Sequence, residues 1–313
     1  MIMIPINLSK IVMSLLLAGT GLTAGCGVAD SPEEDEPYFK PGEYGGSPID
    51  STEHLYNLKM SPDGQKIALI RSYSPDNRLQ DPKDQLWIVN ADGTDPQLIA
   101  FNIWTVDWSP NGDKLAVTFE ESFGYTYVVI LNLVTDEIQV LTGFNWHTLY
   151  EETANNPQWF SDGDRLLVSV WGGAYEQSYE RGVYILDITN EEVQGPLVEF
   201  ASAAHLGNND RHFTSIKYTT GPKSGNYITY RFDNQEWEWI TDFSDDSLSR
   251  WVRQPDPSPT NETLVFSKYV ENAWQLFAMD AAGTNRKRIT SLGGSNPRWG
   301  PDGKRVLFKR DVH

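Results

Sequence analysis

Apolar residues along this chain alternate with polar ones in short segments separated by tight turns. Residues 66–70 (KIALI) and 85–89 (QLWIV) show the two-residue period of a β-strand that places one face in a core. Turns that contain glycine follow such segments, as at residues 90–94 (NADGT). The pattern predicts short antiparallel strands rather than helices.

One sequence unit recurs: an apolar residue, most often Trp, then a turn of the Pro-Asp-Gly type, then an alternating apolar strand. Copies lie at residues 60–69, 108–117, 159–168 and 299–308, with a degenerate copy at 257–266. The interval between the turns at positions 163 and 261 is about twice the others. A decayed copy at residues 208–213 fills that gap, so six units are predicted.

Third and fourth strands follow in each unit, as at residues 85–89 and 97–100. Four antiparallel strands in each repeat of this length form the blade of a β-propeller. We therefore predict an all-β fold over residues 51–313, a six-bladed β-propeller with four-stranded antiparallel blades. Blade six begins near Ser295 and the sequence stops at His313, so we expect a last blade that is incomplete or closed by an N-terminal strand from Tyr38 to Ser47.

These units resemble the TolB-like propeller repeat, a relative of the WD repeat found in the translocation protein TolB and in many bacterial lipoproteins. The resemblance extends from about Leu55 to Val312. TolB has an additional N-terminal α/β domain, whereas here only a short segment precedes the first strand. The resemblance therefore concerns the repeat and does not imply the Tol role.

The N-terminus has the pattern of a lipoprotein signal peptide at residues 1–25. Lys10 precedes an uncharged apolar run that is too short for a stable membrane span. Residues 22–26 (LTAGC) resemble the bacterial lipobox, and Cys26 is the only cysteine in the chain. We expect Cys26 to carry the lipid and the acidic residues 26–50 to form a flexible tether. Gly27 favours an outer-membrane location, on the periplasmic or cell-surface side.

Composition narrows the class of partner. The formal net charge of −18 repels phosphate backbones, so nucleic acid is excluded as an expected partner. The 11 Trp, 14 Tyr and 13 Phe residues favour a turn-rich β fold.

The connections between second and third strands, and those between blades, share one face of the disc and contain the long segments 72–84, 143–156 and 171–181. Long loops on a rigid scaffold commonly carry recognition. Their aromatic and imidazole side chains suit peptide side chains or sugar faces, and the predicted ligand-binding residues are Trp146, His147, Tyr150, Trp171, Tyr175 and Tyr179. The alternative is that these rings cover the blades beneath them.

Other aromatic residues have a simpler interpretation. Trp108, Trp159 and Trp299 recur at one repeat position and should pack between blades. Trp237 and Trp239 point to one face of a strand, either in the core or in an exposed strip of blade four.

No catalytic, cofactor or metal motif is found: the sequence lacks a nucleophile elbow, a His-Glu-x-x-His motif and a phosphate loop. His205 and His212, within one repeat, are weak evidence for a metal site. We expect a binding or scaffold module for an envelope protein or polysaccharide. The alternative is a carbohydrate-active enzyme, a glycoside hydrolase or polysaccharide lyase, that uses loop carboxylates such as Glu151, Glu152, Glu176 and Glu180.

Overall fold

The computed structural model describes residues 53–73, 84–120, 126–141, 153–171, 181–190, 192–207, 210–220, 226–241, 252–258, 262–280, 283–291, 293–301, 303 and 306–309. Within these residues every regular element is a β-strand. No helix in the described ranges has the length and hydropathy needed to cross a membrane.

The strands form five four-stranded antiparallel sheets and one two-stranded sheet, each built from consecutive strands. The first sheet contains β1 (Glu53–Met60), β2 (Lys66–Tyr73), β3 (Asp84–Asn90) and β4 (Gln97–Phe101). The second contains β5 (Ile103–Trp108), β6 (Lys114–Glu120), β7 (Thr126–Asn132) and β8 (Ile138–Val140). The third contains β9 (Thr153–Trp159), β10 (Arg165–Trp171), β11 (Gly182–Asp187) and β12 (Glu192–Glu199). The fourth contains β13 (Ala201–Leu206), β14 (His212–Lys217), β15 (Asn226–Arg231) and β16 (Glu236–Trp239). The fifth contains β17 (Val252–Pro257), β18 (Thr263–Val270), β19 (Ala273–Asp280) and β20 (Lys287–Arg288), and the last contains β21 (Ser295–Trp299) and β22 (Val306–Lys309).

The sequence predicts six four-stranded blades, whereas the described residues form five. The sixth unit contributes only the hairpin of β21 and β22, because no further described strand pairs with the outer edge of β22. The start predicted for this unit, near Ser295, coincides with the start of β21.

The turn between the first and second strands has the same geometry in successive sheets. In the first sheet Ser61 N donates to Lys66 O at 2.8 Å, and Gly64 N donates to Ser61 O at 2.8 Å. In the fourth sheet Gly207 N donates to His212 O and Asp210 N to Gly207 O, both at 3.0 Å. The predicted decayed copy is therefore confirmed. Asp210 has φ 54° where the first repeat has Gly64, and Asp is one of the few other residues that tolerate this left-handed conformation.

The tight turns of each blade lie on one face, as expected. In the first sheet Ala91 N, in the turn after β3, donates to Gln65 O, in the turn after β1, at 2.7 Å. The corresponding bond in the third sheet joins Ile188 N and Asp164 O at 2.9 Å.

Hydrophobic clusters join neighbouring sheets. Trp108 lies in a cluster with residues of the first and second sheets, and Trp159 in one with residues of the second and third. Both indoles are buried, which confirms their predicted packing between blades, while Trp299 is half-buried. Trp239 packs against the cluster between the third and fourth sheets, whereas Trp237 is 40% exposed.

The six first strands form a closed ring. Each of β1, β5, β9, β13, β17 and β21 contacts the next, and β21 also contacts β1. These six strands therefore surround the central axis, and the residues that they turn inward meet one another.

Candidate binding site at the central axis

One position of the first strands brings six polar side chains together. It is the residue immediately before the last residue of each first strand, next to the face of the tight turns. We call this set the axial ring; its members are Lys59, Asp107, Gln158, His205, Asp256 and Arg298.

Contacts across non-adjacent blades show that the axial ring converges. The ammonium Nζ of Lys59, in the first sheet, lies 3.1 Å from Asp107 Oδ1 in the second and donates to Gln158 Oε1 in the third at 3.2 Å. Lys59 and Gln158 are 99 positions apart in the sequence. A lysine can reach both partners only if the three strands face a common axis.

On the other side of the axial ring the side chains lie farther apart. Asp256 Oδ1 lies 3.7 Å from His205 Nδ1 and 4.0 Å from Arg298 Nη1. Both distances exceed those of a direct hydrogen bond between nitrogen and oxygen. The three side chains therefore face one another without being joined.

Both carboxylates are fixed by the backbone of the next sheet. Trp159 N donates to Asp107 Oδ2 at 2.9 Å, and Trp299 N donates to Asp256 Oδ2 at 2.6 Å. Each aspartate thus connects two blades through one oxygen and turns its second oxygen toward the axis.

A break in strand register directs these side chains inward. In β1 the register shifts between Tyr56 and Lys59, and Asn57 at the break has φ 53°. Asn156 and Asn296, two residues before the ring residue of their strands, both have φ 55°. Such a bulge re-aims the following side chain, and Asn accepts its left-handed conformation more readily than most residues.

Burial is deepest in the half of the axial ring formed by His205, Asp256 and Arg298. His205 is 2% exposed, Arg298 6% and Asp256 8%. The side chains of Lys59 and Asp107 retain 13% and 16% exposure, so solvent reaches the axial ring on their side.

Burial also governs ionisation. It lowers the pKa of His205 well below its ordinary value of 6.5, and the charges of Arg298 and Lys59 add to this effect. Burial raises the pKa of Asp256, while Arg298 and Lys59 oppose the rise. The axial ring thus contains two cationic side chains, two carboxyl groups and a histidine that favours its neutral form.

In this buried half, two polar atoms have no hydrogen-bond partner within the described residues: His205 Nδ1 and Arg298 Nε. Buried polar groups of folded proteins are nearly always satisfied by protein groups or by ordered water, so these two atoms are available to a bound polar molecule. The arrangement can hold a small polar group between Asp256, His205 and Arg298.

The sequence-predicted ligand residues are not members of the axial ring. Trp146, His147, Tyr150, Tyr175 and Tyr179 fall outside the described residues, and Trp171 is described only as the end of β10, without its side chain. The carboxylates Glu151, Glu152, Glu176 and Glu180 and the lipidation residue Cys26 also fall outside the described ranges.

The two histidines of one repeat have different surroundings. His205 faces Asp256 at the axis, whereas His212 begins β14. Among the described residues, no three His, Cys, Asp or Glu side chains are close enough to hold a metal ion.

Sequence reasoning missed the axial ring, although a signal was present. Five of the six ring residues directly precede the residue at which the predicted repeat begins, and His205 lies three residues before the decayed copy at 208–213. Blades three and six share a short motif there, Asn-Pro-Gln-Trp at 156–159 and Asn-Pro-Arg-Trp at 296–299. An alignment of the five clearer units that began one residue earlier would have revealed a column of polar residues.

Comparison with solved structures identifies the architecture. The chain superposes on TolB from Acinetobacter baumannii with a TM-score of 0.59, covering 78% of this chain and 56% of that one at 17% identity. The fold is a TolB-like β-propeller. A TolB-type protein from Agrobacterium tumefaciens gives 0.58, with 83% and 91% of the two chains covered at 19% identity.

The TolB-like propeller is also similar to propellers of enzymes. An oligogalacturonate lyase in complex with manganese gives a TM-score of 0.55 at 12% identity, covering 83% of this chain and 72% of that one. At such identities the likeness is one of fold. The chain spans only about half of the Acinetobacter protein. Neither a family profile nor a curated protein sequence matches the chain.

Proposed function

We propose that this protein is a lipid-anchored β-propeller of the cell envelope that acts as a binding or scaffold module. The observation that carries the proposal is the axial ring. Its six members occupy one structural position but differ in chemistry: two cations, two carboxyl groups, an amide and an imidazole. A lining needed only for packing would have no reason to vary in this way, whereas a recognition site requires such asymmetry.

The unpartnered atoms favour binding over a purely structural role. A buried polar atom without a hydrogen-bond partner destabilises the fold by about 1–3 kcal/mol. His205 Nδ1 and Arg298 Nε are in this position at the point where the six strands converge. A ligand that supplied hydrogen-bond partners there would recover this free energy on binding.

The proposal counts the hairpin of β21 and β22 as the sixth blade. Strand β21 contacts β17 on one side and β1 on the other, as a first strand of a ring must. The face of the first sheet that points away from the second carries its own small cluster, with Leu58, Leu69 and Val89 at its centre. A sixth blade at this position would cover that cluster.

Anchoring and partner contact complete the proposal. Cys26 would hold the propeller to the outer membrane through lipid, with residues 26–50 as a tether. The loop residues Trp146, Tyr150, Trp171 and Tyr175 would form the outer contact surface for an envelope protein or polysaccharide.

Crosslinking in native cells, followed by purification of the full-length protein, tests the proposal. Wild type should capture a specific envelope component, and the double variant Trp146→Ala/Trp171→Ala should lose it. Trp237→Ala is the matched control, because this exposed indole lies on the outer strand of the fourth blade. Equal capture by the double variant would place the partner surface elsewhere, and release of product from a polysaccharide would indicate an enzyme.

A further inference from the structure

The two halves of the axial ring correspond to each other. A step of three blades around the ring leads from Lys59 to His205, from Asp107 to Asp256, and from Gln158 to Arg298. The correspondence extends to the surrounding contacts: Gln158 Nε2 donates to Pro157 O at 3.2 Å, and Arg298 Nη1 donates to Pro297 O at 2.9 Å. The half formed by Lys59, Asp107 and Gln158 can therefore be compared directly with the half formed by His205, Asp256 and Arg298.

In the first half the space in front of the carboxylate is occupied. Lys59 Nζ lies 3.1 Å from Asp107 Oδ1 and 3.2 Å from Gln158 Oε1, so a single nitrogen joins both acceptors. In the second half the shorter imidazole of His205 stops 3.7 Å from Asp256 Oδ1. Among the described residues, no side-chain atom bridges His205, Asp256 and Arg298.

The neighbours of this gap define its occupant. The carboxylate oxygen Oδ1 of Asp256 can accept a hydrogen bond, whereas the guanidinium of Arg298 can only donate one. An ammonium would be repelled by Arg298, and a carboxylate would be repelled by Asp256, both without the screening that water provides at a surface. A neutral hydroxyl group donates and accepts through one oxygen and so satisfies both.

We propose that the second half of the axial ring, formed by His205, Asp256 and Arg298, binds a hydroxyl group of a neutral saccharide. A serine or threonine of a peptide would also bring backbone N–H and C=O groups into the axial ring. The axial ring has few hydrogen-bonding atoms left for those backbone groups, because Lys59, Asp107 and Gln158 already contact one another. A sugar presents hydroxyl groups around a compact ring, and each can both donate and accept. This inference rests on the proposed binding function and specifies its ligand.

Neutral and charged monosaccharides of similar size provide the test. Titration calorimetry on the purified propeller would compare glucose, galactose and N-acetylglucosamine with glucuronate and glucosamine. We expect the neutral sugars to bind and the two charged ones to bind at least about tenfold more weakly. Equal affinity for glucuronate or glucosamine would overturn the assignment.

Two aspartate variants separate the site from general stability. Asp256→Asn should weaken binding of the neutral sugar by about tenfold or more. Asp92→Asn removes a carboxylate from an exposed turn of the first sheet, outside the axial ring, and should leave the affinity nearly unchanged. If Asp256→Asn does not fold, Arg298→Lys keeps the charge but removes Nε, and it should show the same loss. Equal losses in Asp256→Asn and Asp92→Asn would overturn the proposal.

A crystal structure obtained with the neutral sugars is the third test of the proposal. A sugar hydroxyl between Asp256 and Arg298 supports the proposal. An ordered water only, with no binding in solution, overturns it. Partner capture in cells does not depend on this result, so a failure here is distinguishable from a failure of the proposed function.

Discussion

His205 faces Asp256 across the boundary between the fourth and fifth blades, with Nδ1 3.7 Å from Oδ1, yet the imidazole favours its neutral form. A carboxylate at this distance would ordinarily promote protonation. Burial has the larger influence, because water cannot solvate an imidazolium whose residue is only 2% exposed. The charges of Arg298 and Lys59 act in the same direction as burial.

The depressed pKa of His205 makes stability depend on pH. Below pH 6.5 the unfolded chain takes up a proton that the folded protein refuses, so this contribution to stability is present above pH 6.5 and is lost as pH falls toward the folded-state pKa. From this group alone, the free energy of unfolding should fall by up to about 1.4 kcal/mol per pH unit. Urea unfolding of wild type and His205→Gln should show that the variant loses this part of the dependence.

His212→Gln is the control for that series, since His212 is half-buried at the start of β14. Asp256 works in the opposite direction, because its raised pKa favours the folded state when it protonates at low pH. Its contribution is present in both proteins and largely cancels in the difference. Identical pH profiles for wild type and His205→Gln would contradict the prediction.

The pair of Lys59 and Asp107 should be energetically coupled. Replacing Lys59 with Met leaves a mostly buried carboxylate with only its bond from Trp159 N, and the free energy of unfolding should fall by roughly 2 kcal/mol. In a double-mutant cycle with Asp107→Asn, the coupling should be about 1–2 kcal/mol. Strictly additive losses in urea unfolding would show that the ion pair contributes nothing of its own.

The arrangement of the blades could be predicted from the sequence because turn chemistry is local. A left-handed residue is needed at the turn after each first strand, and Gly64, Gly112, Gly163 and Gly303 supply it. Even the decayed copy kept a tolerated residue, Asp210. The turn motif therefore located five hairpins, and the spacing between the turns located the sixth.

The axial ring could not be predicted in the same way. Its position repeats and its members are all polar, but their residue types differ, so no shared residue marks this position as glycine marks the turns. Moreover, the side chain that faces the axis is decided by a register break, as between Tyr56 and Lys59, and simple strand alternation does not reveal it. The predicted loop site concerns residues outside the described ranges and stays a prediction.

The proposed lipid attachment at Cys26 predicts a change in partitioning. Acyl chains contribute about 0.8 kcal/mol for each buried methylene, so a diacylated protein should enter the detergent phase in a phase-separation assay. Cys26→Ala should shift to the aqueous phase, whereas Ser31→Ala, in the same acidic segment, should behave as wild type. Equal partitioning of all three proteins would rule out the anchor.

Closure of the ring by the last hairpin predicts a large loss on truncation. Deleting residues 296–313 removes Arg298 from the axial ring and the contacts of β21 with β17 and β1. Interfaces between neighbouring units dominate the stability of repeat architectures. The truncated protein should melt far below the full-length protein or aggregate, and an unchanged melting temperature would contradict closure by this hairpin.

Two glycines with nearly the same backbone conformation test the boundary between the fourth and fifth blades. Gly163 has φ 76° and Gly283 has φ 79°, so an alanine at either position carries the left-handed penalty of about 1–2 kcal/mol. A Cβ at Gly163 would meet no atom within 4 Å, whereas a Cβ at Gly283 would overlap the carbonyl oxygen of Ile240, which follows β16. Because that oxygen belongs to the backbone of the neighbouring blade, the turn after β19 would have to move away from it. Gly283→Ala should therefore lower the free energy of unfolding by roughly 1–3 kcal/mol more than Gly163→Ala does, as measured by urea unfolding. Equal losses would mean that the fifth blade does not pack this closely against the end of the fourth.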